Sequence, residues 1–153
     1  MRILMIIVPA QRGQEPLTVE QIIEPYYHFR DNLVEVVLAS PDGGSPVATV
    51  TMPIPSSPAR RLASDNETLE VLADTLCLDE VFVEDFEAAY YVGAPENLDP
   101  ARQHPVFRFL TELLAAGKPL ALVSSEPTVT RCIAGRAPGL AAVALLRFIA
   151  GNQ

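Results

Sequence analysis

The chain has 153 residues, 49% of them hydrophobic, and a formal net charge of −8. That length suits one domain around one core, and no apolar run reaches the roughly 20 residues that span a bilayer. The acidic balance, with no basic cluster beyond Arg60-Arg61, argues against a nucleic-acid partner.

The first segment, Arg2 to Val8, is short and continuously apolar, which fits a strand buried on both faces rather than a signal peptide. A polar loop from Gln11 to Pro16 follows. Thr18 with Gln21 three residues on predicts a capping box. Val19, Ile22, Ile23, Tyr26, Tyr27 and Arg30 share one helical face. Pro25 sits inside that helix, where it removes a hydrogen bond or kinks the axis.

Leu33 to Ala39 is predicted as a second buried strand, ended by the turn Ser40-Pro41-Asp42-Gly43-Gly44. Ser45 to Ala63 reads as a long surface excursion, with a short strand at Ala48 to Thr51. Asp65 or Ser64 then caps a predicted helix through Leu76, with Leu69, Leu72, Ala73 and Leu76 facing inward. Asp79 to Phe86 is acidic and irregular. Ala88 to Val92 is a third strand closing at Gly93. Pro105 to Ala116 is an amphipathic helix ending at Gly117, with His104 at its cap. Leu120 to Val123 is a fourth main strand, a helix is expected after Glu126, and the last segment, Gly139 to Ala150, is strongly apolar.

Strands alternating with helices predict an α/β fold with a parallel central sheet and helices on both faces. Ligands of such sheets gather at the carboxyl ends of the strands. Those ends are Pro9 to Gln14, Ser40 to Gly44, Gly93 to Glu96 and Ser124 to Pro127. The last carries the most chemistry. An apolar strand runs into a sharp turn at Ser124 and then a helix start, a junction that lifts one side chain from the sheet beside helix N–H groups.

The order of segments resembles the ThiJ/PfpI group of class I glutamine-amidotransferase-like proteins. Four stretches carry the resemblance: Glu20-Gln21-Ile22-Ile23-Glu24-Pro25-Tyr26-Tyr27, Val36 through Gly44 with its SPxGG-like end, Asp85 through Gly93, and Gly117-Lys118-Pro119 through Val123. The resemblance implies a flavodoxin-like sandwich, a homodimer, and a pocket served by a Cys at the elbow, a His after it and a Glu on the first helix. Its members act as glyoxalases or deglycases, hydratases, peptidases or chaperones. This chain departs at each of those positions. Ser124 stands where the Cys would be, Ser125 where the His would be, and Gln21 where the Glu would be. The family's glycine-rich turn becomes Gly93-Ala94-Pro95-Glu96. The stretch after Ser124 is short, so the later strands that complete the family's site are expected to be absent or vestigial.

A serine at an elbow cannot ionise as a thiol does and needs a base and an oxyanion hole. Ser124, Glu126 and Gln21 are therefore the candidate catalytic residues. Ser125, Gly93, Ala94, Glu96 and His28 are the candidate substrate contacts. Structural alternatives stand beside them. The serines can be helix caps, Glu126 a first-turn carboxylate favoured by the helix dipole, Gln21 the second half of the capping box, and His28 a partly exposed polar residue. Tyr26, Tyr27, Tyr90 and Tyr91 fit a core or interface as well as a pocket wall. Cys77 and Cys132 have no CxxC spacing, and no metal-ligand or phosphate-loop pattern appears, so neither a metal nor another cofactor is indicated.

Two functions fit this site. One is an enzyme without the thiol, acting on a small molecule by noncovalent acid–base chemistry as a lyase, isomerase, cyclase or hydrolase. The other is a non-catalytic ligand-binding or regulatory module; a chaperone-like role is a weaker third. Both carry the expectation of a cytoplasmic homodimer with a small-molecule ligand and no membrane partner.

Overall fold

The structure is a computed structural model that describes residues 1–46, 57–99, 101, 103–123, 132–135, 145–147 and 149–151. Among the described residues, six strands form one sheet: β1 (Arg2–Ile7), β2 (Glu35–Ser40), β3 (Leu76–Cys77), β4 (Ala88–Val92), β5 (Leu120–Val123) and β6 (Cys132–Gly135). Their order is β3-β2-β1-β4-β5-β6, and every neighbouring pair is parallel. Met5 of β1 sits at the middle, aligned with Leu38 on one side and Tyr90 on the other. Without the two-residue edge strand β3, the order is that of a flavodoxin-like sheet, first to second strand on one side and first to third on the other.

The apolar run in β1 is continuous because both faces are covered. Ile3, Met5 and Ile7 join one core layer, and Leu4, Ile6 and Val8 join the other. The first layer is closed by α1 (Val19–Asp31), α2 (Ser57–Ala63) and the helical residues Leu145 and Ile149. The second is closed by α4 (Pro105–Ala115) and by 3-10 turns at Leu78–Glu80 and Val83–Asp85. On α1 the predicted stripe is buried, and Phe29, with no exposed surface, extends it edge-on against Tyr90. Arg30 ends the stripe at the rim, donating to the Tyr26 hydroxyl at 2.8 Å.

Several expected elements differ. β2 starts at Glu35 because Leu33, at φ 60° and 94% exposed, belongs to the turn that leaves α1. Part of the supposed excursion is helix α2, which docks Ala59 and Leu62 into the core and lays Arg61 over the Tyr27 ring. The short strand expected at Ala48 to Thr51 lies outside the described residues. The next helix, α3 (Asn66–Ala73), is capped by Asp65 but stops before Leu76. There Thr75 is drawn to the sheet edge: its hydroxyl pairs with Ser40 Oγ at 2.7 Å and donates to the Gly44 carbonyl. Leu76 therefore enters β3 half-exposed, and Thr68, not Leu69, is the buried residue of α3. Finally, Cys132 lies in a strand, not a helix. β6 pairs with β5 over four residues, so a strand follows Ser124 where such strands were expected to be absent or vestigial.

Candidate functional site

The chain leaves β1 toward β2 on one side of the sheet, while β4 leads to β5 on the other. The carboxyl ends of β1 and β4 therefore border the topological switch point, where open parallel sheets bind ligands. A cleft of about 410 Å³ lies there, lined by Gly13–Leu17, Gln21, Tyr90–Ala94 and Glu96. It is within the range of small-molecule sites.

Two loops make its walls. The β1–α1 loop turns at Gly13, at φ 87°, where an L side chain would be strained. It is closed by Gln14 N–H to the Gln11 carbonyl at 2.9 Å, and Gln11 N–H returns to Gln14 Oε1 at 3.0 Å. The other wall is the 3-10 turn Pro95–Leu98 after β4. Asn97, fully buried, joins the walls. Its Oδ1 accepts from Gln14 Nε2 at 3.0 Å, and its Nδ2 donates to the Tyr91 hydroxyl at 3.4 Å. That hydroxyl donates to the Ala94 carbonyl at 2.8 Å. Gly93 fits because a Cβ there would come within 2.7 Å of the Tyr91 hydroxyl and 3.1 Å of Val8 Cβ.

The electrostatics of the cleft are acidic. Among the described residues, Glu15 and Glu96 line it and no lysine or arginine does. Burial pushes the Tyr91 phenol up to about 12, with Asn97 pulling against that and Glu96 adding to it. Burial, with Glu24 nearby on α1, also holds Tyr90 protonated well above the usual phenol range. Both phenols are neutral donors at ordinary pH, not bases.

Of the predicted residues, the structure brings Gln21, Gly93, Ala94 and Glu96 into this one cleft. Gln21 also completes the capping box, its Oε1 accepting from Thr18 N–H at 2.9 Å. That bond takes one of the two lone pairs of its amide oxygen, and its amide nitrogen can only donate. Pro25 has no N–H for the Gln21 carbonyl, so that carbonyl also lacks its usual helical donor. His28 does not belong to the cleft. It lies two turns further along α1, roughly 10 Å away by helical rise, beside Asp31 and Asn32. Ser124, Ser125 and Glu126 lie outside the described residues. β5, which they follow in sequence, is paired to β4 through Tyr91↔Leu122 at the same carboxyl edge.

Asn97 was missed as a site residue, whereas Gln14 stood only within a strand-end loop and Tyr91 only as one of four tyrosines that fit a core, an interface or a pocket wall. Asn97 carried no signal because its role is a contact across 83 positions, to Gln14. His104 caps α4 as expected, its Nδ1 accepting from Val106 N–H at 3.2 Å.

No family model matches the chain, and no curated protein matches it in sequence. Solved structures do. The architecture defined above is that of a ThiJ/PfpI domain protein from Brachyspira murdochii, with a TM-score of 0.61 at 12% identity over 98% of this chain and 95% of that one. The 24 kDa rapid encystment protein of Francisella tularensis matches with a TM-score of 0.64 at 15% identity over 92% of this chain. Glyoxalase III of Candida albicans matches with 0.60 at 15% identity over 80% of this chain. The chain spans 60% and 56% of the length of these last two. The fold of this protein is thus the ThiJ/PfpI fold. Among the described residues, no helix is long and apolar enough to cross a membrane.

Proposed function

We propose that the protein is a single-domain, cytoplasmic homodimer that takes a small uncharged metabolite into the cleft at the β1/β4 switch point and transforms it without a thiolate. The observation that carries this reading is the convergence of Gln21, Gly93, Ala94 and Glu96, from two separated segments, on one cleft. The presence of Glu15 and Glu96, with no cation lining the cleft among the described residues, favours a neutral substrate over an anionic one. Glu126 and Glu96 supply the acid–base groups, and Ser124 and the Gln21 amide nitrogen hold the substrate. Such proton transfers contribute about 10²–10⁴-fold when the carboxylate is in reach of the substrate. That one similar structure is named a glyoxalase supports an enzyme at the level of the fold.

The second reading is a ligand-binding module of the same cleft. The bond of the Gln21 amide oxygen to the helix cap favours it, since that bond serves structure. One experiment separates the two. The protein is incubated with a pool of small neutral metabolites and followed by mass spectrometry, beside Glu126→Gln, Glu96→Gln and Ser124→Ala. Product formed by the wild type and lost in the variants supports the enzyme. Retention of a metabolite with no product assigns the binding module. Turnover unchanged in all three variants overturns the site assignment. Sedimentation velocity tests the dimer, and a monomer at all concentrations refutes it.

A further inference from the structure

A second cleft, of about 330 Å³, lies on the other side of β1, over the carboxyl ends of β1 and β2. It shares no lining residue with the cleft of the proposed function. It is lined by the turn Ser40 to Gly43 on one segment, by Val8 to Gln11 on another, and by His104.

Both polar parts of this lining are fixed before any ligand arrives. The turn is clamped to the sheet edge from three directions. Ser40 Oγ pairs with Thr75 Oγ1 at 2.7 Å, Cys77 Sγ donates to the Pro41 carbonyl at 3.2 Å, and Gly44 bridges to Thr75. Gly43, at φ 71°, lies so close that a Cβ would meet the Cys77 nitrogen at 3.3 Å. This turn presents the exposed Asp42 carboxylate. In the other part, Gln103 at φ 51° turns the chain so that His104 caps α4. Because Nδ1 accepts from Val106 N–H, the neutral ring carries its proton on Nε2. Burial lowers the imidazole's affinity for a second proton, so the ring is a neutral donor at pH 7.

The cleft therefore offers an acceptor-only carboxylate and a neutral N–H donor, with three prolines, Pro9, Pro41 and Pro46, as rigid walls and, among the described residues, no lysine or arginine. An anion finds no counter-charge among those residues and meets Asp42. A simple ammonium would satisfy Asp42 but has nothing to accept the imidazole proton. A hydroxyl does both, accepting from Nε2–H and donating to the carboxylate. We propose that this second cleft is a binding site for a small neutral polyol or sugar, held between Asp42 and His104.

The test is a titration of the full, isotopically labelled chain with glycerol, D-ribose and D-glucose, followed by amide and imidazole NMR shifts, with acetate as the anionic comparison. The expected result is a saturable shift at Asp42, Gly43 and the His104 ring with at least one polyol, without movement at Gly93, Ala94 or Glu96. Asp42→Ala and His104→Ser should each weaken that binding about tenfold or more, the loss of one hydrogen bond to a charged or buried partner. Serine keeps the helix cap while removing the imidazole, and should the His104 variant not fold, Asp42→Ala alone decides. No saturable shift with any polyol overturns the proposal. So do shifts confined to the first cleft, or acetate binding as well as the polyols.

Discussion

Replacing Asn97 by alanine tests whether the two walls of the first cleft are held together as described. Asn97 has no exposed surface and bridges Gln14, from the β1–α1 loop, to Tyr91, at the end of β4. A net intramolecular hydrogen bond contributes about 0.5–1.5 kcal/mol. The bond to Gln14 at 3.0 Å has ordinary geometry, whereas the one to Tyr91 at 3.4 Å is long and belongs at the low end. Neither partner is stranded by the change. Tyr91 keeps its bond to the Ala94 carbonyl, and the half-buried Gln14 amide can reach water. With the small void left by the amide, the expected loss is about 2 kcal/mol. Urea unfolding reads it as a lower midpoint at unchanged slope. A double-mutant cycle with Gln14→Ala should show the two losses to be less than additive. A loss within about 0.5 kcal/mol, the range of an ordinary surface substitution, or full additivity with Gln14→Ala, refutes the bridge.

Three further outcomes follow from the same geometry. Gly93→Ala should cost about 1–3 kcal/mol by overpacking, because its Cβ would press on a Tyr91 side chain that is itself buried; thermal unfolding at wild-type midpoint would contradict this. Asp65 caps α3, accepting from the Thr68 hydroxyl and backbone and from the Tyr27 hydroxyl, and the Thr68 bonds hold its carboxyl below the usual range. Its contribution is therefore present above the unfolded value near 3.9 and lost as pH falls through the lower folded value. Asp65→Ala should cost about 1–2 kcal/mol at pH 7, with the gap to wild type closing in strong acid, and a gap independent of pH would be evidence against the cap. His104, whose pKa burial lowers, binds protons more readily unfolded than folded. Its stabilising effect is complete above about pH 6.5 and declines below it, as protonation of Nδ1 also ends the bond from Val106 N–H. His104→Asn should remove that slope, and an unaltered slope would assign it to other groups.

Local signals in the sequence were strong where one segment decides its own structure. Thr18 and Gln21 announce a helix start because both halves of the capping box lie three residues apart, and the box is formed. His104 before Pro105 and Gly117 at φ 77° bound α4 by chemistry confined to its ends. Leu120–Val123 forms a strand with the predicted limits, since a short apolar run between Pro119 and a turn has little else to become. The resemblance in four short stretches pointed to the right fold although no family model and no curated protein matches the sequence.

Most misjudged elements depend on distant partners. Leu76 continues a helical pattern, yet Thr75 is held by Ser40 and Gly44 from another segment, and the chain joins the sheet instead. Helix α2 lies in a proline-rich stretch with weak periodicity and is stabilised by Ala59 and Leu62 against α1. His28 shares a face with Gln21 in projection, but helical rise carries it away from the carboxyl edge.

By itself the sequence determined the alternation of strands and helices and the apolar run that must be buried on both faces, and it pointed to the carboxyl edge as the place to seek a ligand. Those follow from spacing and from the need of each segment to bury its own apolar side chains. Tertiary structure alone decided which loops meet. The order of strands sets β1 beside β4, and only then do Gln14 and Asn97 close one cleft while Asp42 and His104 face another. A contact between residues 83 positions apart has no local cause that a sequence pattern can display. It exists because the sheet brings those two chain ends to the same edge.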